Sequence, residues 1–186
     1  MSQATFKRAI EFTLPWEAGR DKQGNVRADG GLNNADGSWT KWGIRQKAHP
    51  DVDVPNLTLE DALHIYQNEY WDWYKSKTPV LDLDNSPTDY AIVVFDSGVN
   101  LGVNRAYGFH LKSINEKDPT KVLLGLRDKF YFDLKSAGNQ IAVNSYKGWM
   151  ARLNDLKKLV DIIKMEKSQD ITEPSSGSLG YVDTPS

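Results

Sequence analysis

The sequence has 186 residues and no cysteine. Disulfide bonds, thiolate metal ligands and cysteine nucleophiles are therefore excluded together. The absence does not restrict the compartment in which the protein works, because a chain of this length can bury enough apolar surface without covalent cross-links. Apolar residues make up 39% of the chain and charged residues 26%. That balance is typical of a single globular domain.

Long apolar runs are also missing. No stretch approaches the ~20 residues that a membrane-spanning helix needs. The first residues, MSQATFKRAIEF, lack a long apolar core followed by a small-residue cleavage site. We therefore expect no membrane span and no cleaved signal peptide.

The chain has no large excess of charge of either sign, since the formal net charge is −2. This excludes a strong nucleic-acid or membrane signature for the chain as a whole. The distribution is uneven, because residues 1–102 carry a net −5 and residues 103–167 a net +6. The basic part would suit a polyanionic surface such as an anionic cell wall. It would equally suit solvated helix faces, because its lysines alternate with acidic residues.

Histidine is rare, and its spacing indicates no metal site. His49, His64 and His110 lie far apart and match none of the zinc-binding patterns. The sequence has no Gly-x-Ser-x-Gly elbow and no Gly-rich phosphate loop. We therefore expect no metal and no cofactor, and carboxylates are left as the groups that can do chemistry.

The N-terminal part predicts a helix followed by a polar insertion. Residues 5–14 have the apolar spacing of an amphipathic helix, and we expect Pro15 to end or kink it. Residues 18–40 are rich in Gly, Asn and Asp, which is turn chemistry. Short extended segments around residues 25–27 and 39–42 would form a small irregular hairpin.

The rest of the chain predicts helices with recognisable starts. Thr58 followed by Asp61 forms a capping box, and Ser86 with Asp89 repeats the pattern. Asp118 before a proline marks a third start. Further helices are expected over residues 105–114 and 145–165. The fold class is therefore mainly α, with one small β insertion near the N-terminus.

The segment TLPWEAGRDKQG places Glu17 at a helix end, beside Trp16 and before the polar insertion. Glu17 could be a solvated surface group, or a proton donor against an aromatic ring at the edge of a cleft. Apolar surroundings would favour its protonated form. Glycoside hydrolysis needs such an acid and usually a second carboxylate, and the insertion offers Asp29 and Asp36.

Several stretches resemble one enzyme family. WEAGRDKQGN and DGSWTKWGI resemble the opening signature of the glycoside hydrolase 108 family of bacteriophage and bacterial N-acetylmuramidases. LEDALHIYQNEYWDWY, VVFDSGVNLGVNRA, LRDKFYFDL and YKGWMARL fit later parts of the family pattern in order. The resemblance spans about residues 5–160. It implies a lysozyme-like, mainly helical fold and hydrolysis of the β-1,4 bond after N-acetylmuramic acid in peptidoglycan.

The resemblance also implies catalytic residues. Glu17 matches the catalytic glutamate of the family, and Thr40 matches its threonine. Ala35 stands where the family has an aspartate. We therefore choose the neighbouring Asp36 as the second carboxylate, with Asp29 as its competitor. We expect the wider carboxyl spacing of an inverting enzyme, about 6.5–9.5 Å.

Four more residues are candidates for substrate binding. The aromatic side chains of Trp42 and Tyr70 could stack on sugars, although core packing is the ordinary role of such rings. Asp96 and Asn100 lie four residues apart on one face of a buried helix. They could line the cleft floor or orient Glu17, or form a buried hydrogen-bonded pair that holds helices together.

The resemblance extends to domain organisation and partners. We expect a single lysozyme-like domain over residues 1–167, in which the helical residues 103–167 form a peptidoglycan-binding part, and a flexible tail over 168–186. The partner would be bacterial peptidoglycan, with no nucleic acid, and the protein would be a monomer. It would reach the wall from the host cytoplasm by holin-type release, as a phage endolysin, or as part of a virion.

Two other functions stay open from the sequence. A lytic transglycosylase would use the same glutamate as acid and then as base, and would release an anhydro sugar. A non-catalytic wall-binding or virion structural protein would keep the fold without the chemistry, and the presence of Glu17 argues against it.

Overall fold

A computed structural model describes residues 2–20, 26–27, 32–33, 37–77 and 81–170. The described part is mainly helical, which confirms the predicted lysozyme-like, mainly α class with a small β region near the N-terminus. None of its helices is both long and apolar enough to cross a bilayer. The elements are α1 Ser2–Ala18, β1 Leu32–Asn33, β2 Trp39–Lys41, β3 Ile44–Arg45, α2 Leu59–Tyr66, α3 Trp73–Lys77, α4 Thr88–Leu101, α5 Val103–Ser113, α6 Pro119–Ser136 and α7 Gln140–Asp170, with a 3₁₀ turn at Val54–Asn56 and a π-helical turn at Gln67–Trp71.

Helix α4 is the centre of the fold. Its residues 91–95 are all apolar and fully buried. The helix packs against α1, α5, α6 and α7, so its whole circumference is covered, as expected for a helix that is apolar all round. Asp96 follows this apolar run directly, and the fold therefore carries a carboxylate into the middle of the molecule.

The small sheet is antiparallel, with strand order β1–β2–β3. The prediction placed one strand near 39–42 correctly, but its partners are β1 and β3 rather than residues 25–27. Val26 forms an isolated bridge with Arg20 instead. The pairing of β2 with β3 is explained by Gly43, which adopts φ +81°. That conformation costs glycine little and lets the chain reverse immediately after β2.

Helix α1 runs through Pro15 to Ala18, so Pro15 does not end the helix before Glu17, and the other expectation, a kink at Pro15, stays a prediction. Thr13, Leu14 and Pro15 are all buried. Packing of this last turn offsets the hydrogen bond that proline cannot donate. Glu17 therefore belongs to a helical turn and not to the loop that follows.

Two of the predicted helix starts are confirmed in detail. Thr58 accepts a hydrogen bond from the Asp61 amide, and the Asp61 carboxylate accepts from the Thr58 amide, which completes the capping box at α2. At α6, Asp118 accepts from the Lys121 amide. Local sequence was sufficient at both places, because cap and partner lie three residues apart.

The predicted cap of α4 is wrong. Pro87 is the N-cap residue and no side chain caps the helix. The Ser86 hydroxyl donates to the Asp82 carbonyl instead. Asp89, the expected capping partner, accepts from the Thr120 hydroxyl. The Asp89 carboxylate therefore makes a tertiary contact with Thr120 instead of the cap contact that the local pattern predicted.

Helix α7 is longer than the predicted residues 145–165 and passes the expected domain end at 167. Its buried face was predicted correctly, and it packs against α6 and α4. Residues 171–186, the rest of the predicted tail, lie outside the described residues. The buried side chains of this face are Leu153, Leu156, Val160 and Ile163.

Candidate active site

Glu17 lies in the last turn of α1, with 23% of its side chain exposed. The turn between β2 and β3 rests on it, since a Cβ built on Gly43 would lie 2.7 Å from the Glu17 Cβ. The same Cβ would overlap the Tyr66 hydroxyl. That hydroxyl donates to the Trp42 carbonyl at 2.9 Å and so fixes the turn. Glu17 is therefore held between a helix end and a hairpin, with part of its side chain open to solvent.

One guanidinium joins Glu17 to the centre of the fold. Arg152, from α7, is buried, and its Nη1 donates to Glu17 Oε1 at 2.5 Å. Its Nε and Nη2 both donate to the Asp96 carboxylate, with 2.6 Å between Nη2 and Oδ1. Two carboxylates from α1 and α4 therefore share a single cation from α7.

Asp96 has no exposed surface. Besides Arg152, it accepts from Arg127 Nη1 at 2.6 Å and from the Thr13 hydroxyl at 2.9 Å. Burial alone would raise the pKa of Asp96, but the two guanidiniums lower it to about 2. Asp96 is therefore a permanent anion that anchors both arginines.

The central charges are balanced. Glu17 and Asp96 contribute two negative charges, and Arg127 and Arg152 contribute two positive ones. A buried ion needs a partner, because an uncompensated charge away from water is very costly. Any change of charge at one of the four positions therefore affects the other three.

The network continues from Arg127 towards the end of α4. Arg127 Nε donates to the Tyr131 hydroxyl at 2.8 Å, and that hydroxyl in turn donates to Asn100 Oδ1. The predicted direct pair of Asp96 and Asn100 is thus replaced by a relay through two residues of α6. Asn100 is half-buried and marks the outer end of the relay.

The substrate-binding predictions need correction at Trp42 and Asp96. The Trp42 ring is 7% exposed, so it packs in the core and offers no stacking face to a sugar. Asp96 is fully buried and cannot touch a substrate directly. Its position fits the alternative prediction, an indirect role in orienting Glu17. Tyr70 is half-exposed in the π-helical turn and lies 5.7 Å from the Tyr66 ring, so a sugar contact there stays a prediction.

Thr40 is half-buried in β2, where it pairs with Leu32 on one side and Arg45 on the other. Its strand leads directly into the turn that contacts Glu17. The predicted second carboxylate, Asp36, and its competitor Asp29 lie outside the described residues.

The sequence analysis included both arginines in segments that resemble the family but assigned them no role in the site, although each left a signal. Arg127 lies four residues after Leu123 and four before Tyr131, within a buried helix face. Arg152 lies three residues after Trp149 and next to Leu153, on the inner face of α7. A cation at an apolar position of a helix indicates a buried anionic partner. The described residues contain no group of acidic or histidine side chains that could hold a metal ion.

The sequence model of the family Glycosyl hydrolase 108 matches residues 10–102. The chain belongs to the glycosyl hydrolase 108 family. The matched segment includes Glu17, the hairpin and Asp96, and it makes the protein a glycoside hydrolase. No curated protein and no solved structure matches the chain. Arg127 and Arg152 lie beyond the matched segment, so this glycosyl hydrolase 108 domain completes its candidate site with residues outside it.

Proposed function

We propose that the protein is a peptidoglycan-degrading N-acetylmuramidase with Glu17 as its general acid. The bond cleaved is the β-1,4 linkage between N-acetylmuramic acid and N-acetylglucosamine. The observation that carries the proposal is the partly exposed Glu17 side chain, held at a helix end by a buried arginine. Family membership supports glycosidic chemistry, and the motifs around Glu17 support peptidoglycan as the substrate.

Exposure selects Glu17 within the network. A general acid must reach the oxygen that it protonates, at about 2.6–3.2 Å. Asp96 has no surface, whereas Glu17 is accessible. Glu17 would protonate the glycosidic oxygen as its bond to the anomeric carbon breaks. A water molecule, activated by a second carboxylate, would then attack the cation-like centre.

Asp36 is our proposal for that second carboxylate, with Asp29 as the competitor. Comparison of Asp36→Asn and Asp29→Asn for lysis would decide between them. The stereochemistry of the first-formed sugar would show whether the enzyme inverts, as the wider carboxyl spacing requires. A retained configuration would contradict the inverting mechanism and leave Glu17 as the acid.

The main test is Glu17→Gln in the full chain. The variant keeps the shape of the side chain but cannot donate a proton, so we expect turnover of purified peptidoglycan to fall by ~10²–10⁴. Glu11→Gln is the matched control, because Glu11 is an exposed carboxylate on the same helix that pairs with Lys7 at the surface. Activity of Glu17→Gln within a few-fold of wild type would refute the assignment.

Lytic transglycosylation is the second candidate, and one observation favours it. The other carboxylate in the described network is fully buried, and a transglycosylase needs a single accessible acid that later acts as base. Mass spectrometry of the released fragments distinguishes the two reactions. Hydrolysis adds water and leaves a reducing N-acetylmuramic acid end, whereas transglycosylation leaves an anhydro end that is lighter by one water.

The setting in which the enzyme acts is also a proposal. We infer that it is a monomeric phage endolysin or virion-associated lysin that reaches the wall by holin-type release or within the particle. Lysis by added protein from outside, compared with lysis after expression with and without a holin, tests the route.

A further inference from the structure

Arg152 contacts the proposed acid from a helix that lies outside the matched family segment. We propose that Arg152 is a positioning residue of the catalytic centre, which fixes the Glu17 carboxylate and stabilises the negative charge that forms there as the proton leaves. The inference rests on the proposed role of Glu17. It gives α7 a direct part in catalysis, beyond the wall-binding role that the sequence suggested for residues 103–167.

The hydrogen bonds rank the two partners of Arg152. Asp96 accepts from both Nε and Nη2, whereas Glu17 accepts from Nη1 alone. Asp96 is also the buried partner and Glu17 the accessible one. Asp96 therefore fixes the position of the guanidinium, and the accessible Glu17 binds its remaining nitrogen, Nη1.

The charge of the network depends on the protonation state of Glu17. When Glu17 carries its proton, Asp96 is the one anion beside Arg127 and Arg152, so the four side chains carry a net charge of +1. Ionisation of Glu17 restores neutrality. When the proton passes to the glycosidic oxygen, negative charge develops on a carboxylate oxygen 2.5 Å from Nη1. A preorganised cation at that distance stabilises the charge that forms in the transition state. Arg152 thus favours proton transfer without contact to the sugar.

Among the described residues, the phenols and the hairpin turn around Glu17 do not replace this cation. Tyr66 and Tyr70 face it from α2 and the π-helical turn. Burial and then the charge of Glu17 raise the pKa of Tyr66, and burial, Glu69 and Glu17 raise the pKa of Tyr70. Both phenols stay neutral in the working range. The hairpin contributes Gly43, which carries no charge. Behind Arg152, the charges of Asp96 and Arg127 compensate each other.

The test is Arg152→Gln and Arg152→Lys in the full chain, with kcat and KM measured on soluble peptidoglycan fragments. Arg152→Gln removes the cation, so kcat should fall by about 10²-fold. KM should stay near the wild-type value, because the buried Arg152 does not contact the substrate. A fall in kcat at unchanged KM indicates an interaction that matters in the transition state and not in substrate binding.

Arg152→Lys keeps the buried charge opposite Asp96 but lacks the fork that reaches both carboxylates. We expect it to fold and to lose about 10-fold in kcat at unchanged KM, as expected when the Glu17 contact is lost and Asp96 stays paired. If Arg152→Gln does not fold, this variant decides the question. A purely structural arginine would change the melting temperature and leave kcat of the folded protein unchanged.

Arg8→Gln is the matched control. Arg8 pairs with Glu166 at 2.7 Å, so it also ties α1 to α7, but at the surface and away from the network. Its kcat and KM should equal those of wild type. Wild-type kcat in both Arg152 variants would overturn the inference. An active Glu17→Gln would instead overturn the proposed function, so the two failures are distinguishable.

Discussion

His110 is a buried histidine remote from the acidic centre. Its Nδ1 lies 2.9 Å from the Tyr90 hydroxyl, and within the described structure its Nε2 has no hydrogen-bond partner. The ring stacks on Tyr107. Burial lowers the pKa of His110, because a charged imidazolium here would lose its hydration and place a second N–H donor where no acceptor is available.

We predict that His110 makes stability depend on pH below neutrality. As pH falls through about 6.5, the unfolded chain binds a proton that the folded protein resists. The free energy of unfolding should therefore decrease with falling pH, by at most about 1.4 kcal/mol per pH unit for this one group. Urea titrations between pH 7.5 and 5 measure it, and His110→Asn should flatten the slope. An equal slope in the variant would assign the effect to other groups, and the buried aspartates act only below about pH 4.

At this scale, the sequence indicated the proposed acid, Glu17, but not the residue that holds it. Glu17 stands in a short local motif, and its position after an apolar helix was visible in a dozen residues. Its partner Arg152 is 135 residues away, so no local pattern could connect them. The burial of Trp42 could not be predicted either, because the sequence does not distinguish an aromatic ring in a core from one in a sugar-binding site.

The turn between β2 and β3 sets the position of Glu17 at the scale of elements. Gly43 combines φ +81° with contacts to Glu17 and Tyr66. Gly138 has a similar φ of +73°, but a Cβ there would meet no atom of the described residues within 4 Å. Comparison of substitutions at the two glycines therefore distinguishes the cost of backbone strain from the cost of steric contact.

We predict that Gly43→Ala lowers both stability and activity. Its Cβ would push against Glu17, so stability should fall by about 2 kcal/mol or more and kcat should fall with it. Gly138→Ala, in the turn between α6 and α7, should show only the smaller cost of the left-handed backbone and normal kcat. Thermal melts and peptidoglycan turnover of the two variants provide the comparison, and equal losses in both would show that the contact with Glu17 is unimportant.

Elements whose signals are local were predictable, and those decided by tertiary contacts were not. The capping box at Thr58 and the cap at Asp118 formed as expected. The α4 cap failed because Thr120 and Lys167 bind Asp89. Helix α1 continues past Pro15 because packing outweighs one missing hydrogen bond. Strand β2 pairs with β3 through a turn that the conformation of Gly43 allows.

The charge asymmetry of the whole molecule has a structural explanation. Arg152 and Arg127 of the basic part neutralise Glu17 and Asp96 of the acidic part. Lys167 pairs with Asp89 in the same way. Part of the +6 of residues 103–167 is therefore used inside the fold. Attraction to an anionic wall stays a prediction that rests on the remaining surface lysines.

We predict that residues 119–170 cannot be removed as a separate module. A chain that ends at residue 118 loses α6 and α7, which exposes one side of α4 and leaves Asp96 buried without either arginine. It should show no cooperative thermal transition by circular dichroism. A chain that ends at residue 170 is the control and should melt and digest peptidoglycan like the full chain. Cooperative unfolding of the shorter chain would contradict this account.

The separation of Glu17 and Arg152 along the chain also bears on biosynthesis. The ribosome releases α1 early, whereas Arg152 emerges 135 residues later. Until then, Asp96 has no guanidinium from α7 to neutralise it, and the proposed acid, Glu17, has no fixed orientation. Translation order therefore delays assembly of the centre until nearly all of the folded part has been made. A nascent chain would carry the family signature long before it could cleave a glycan.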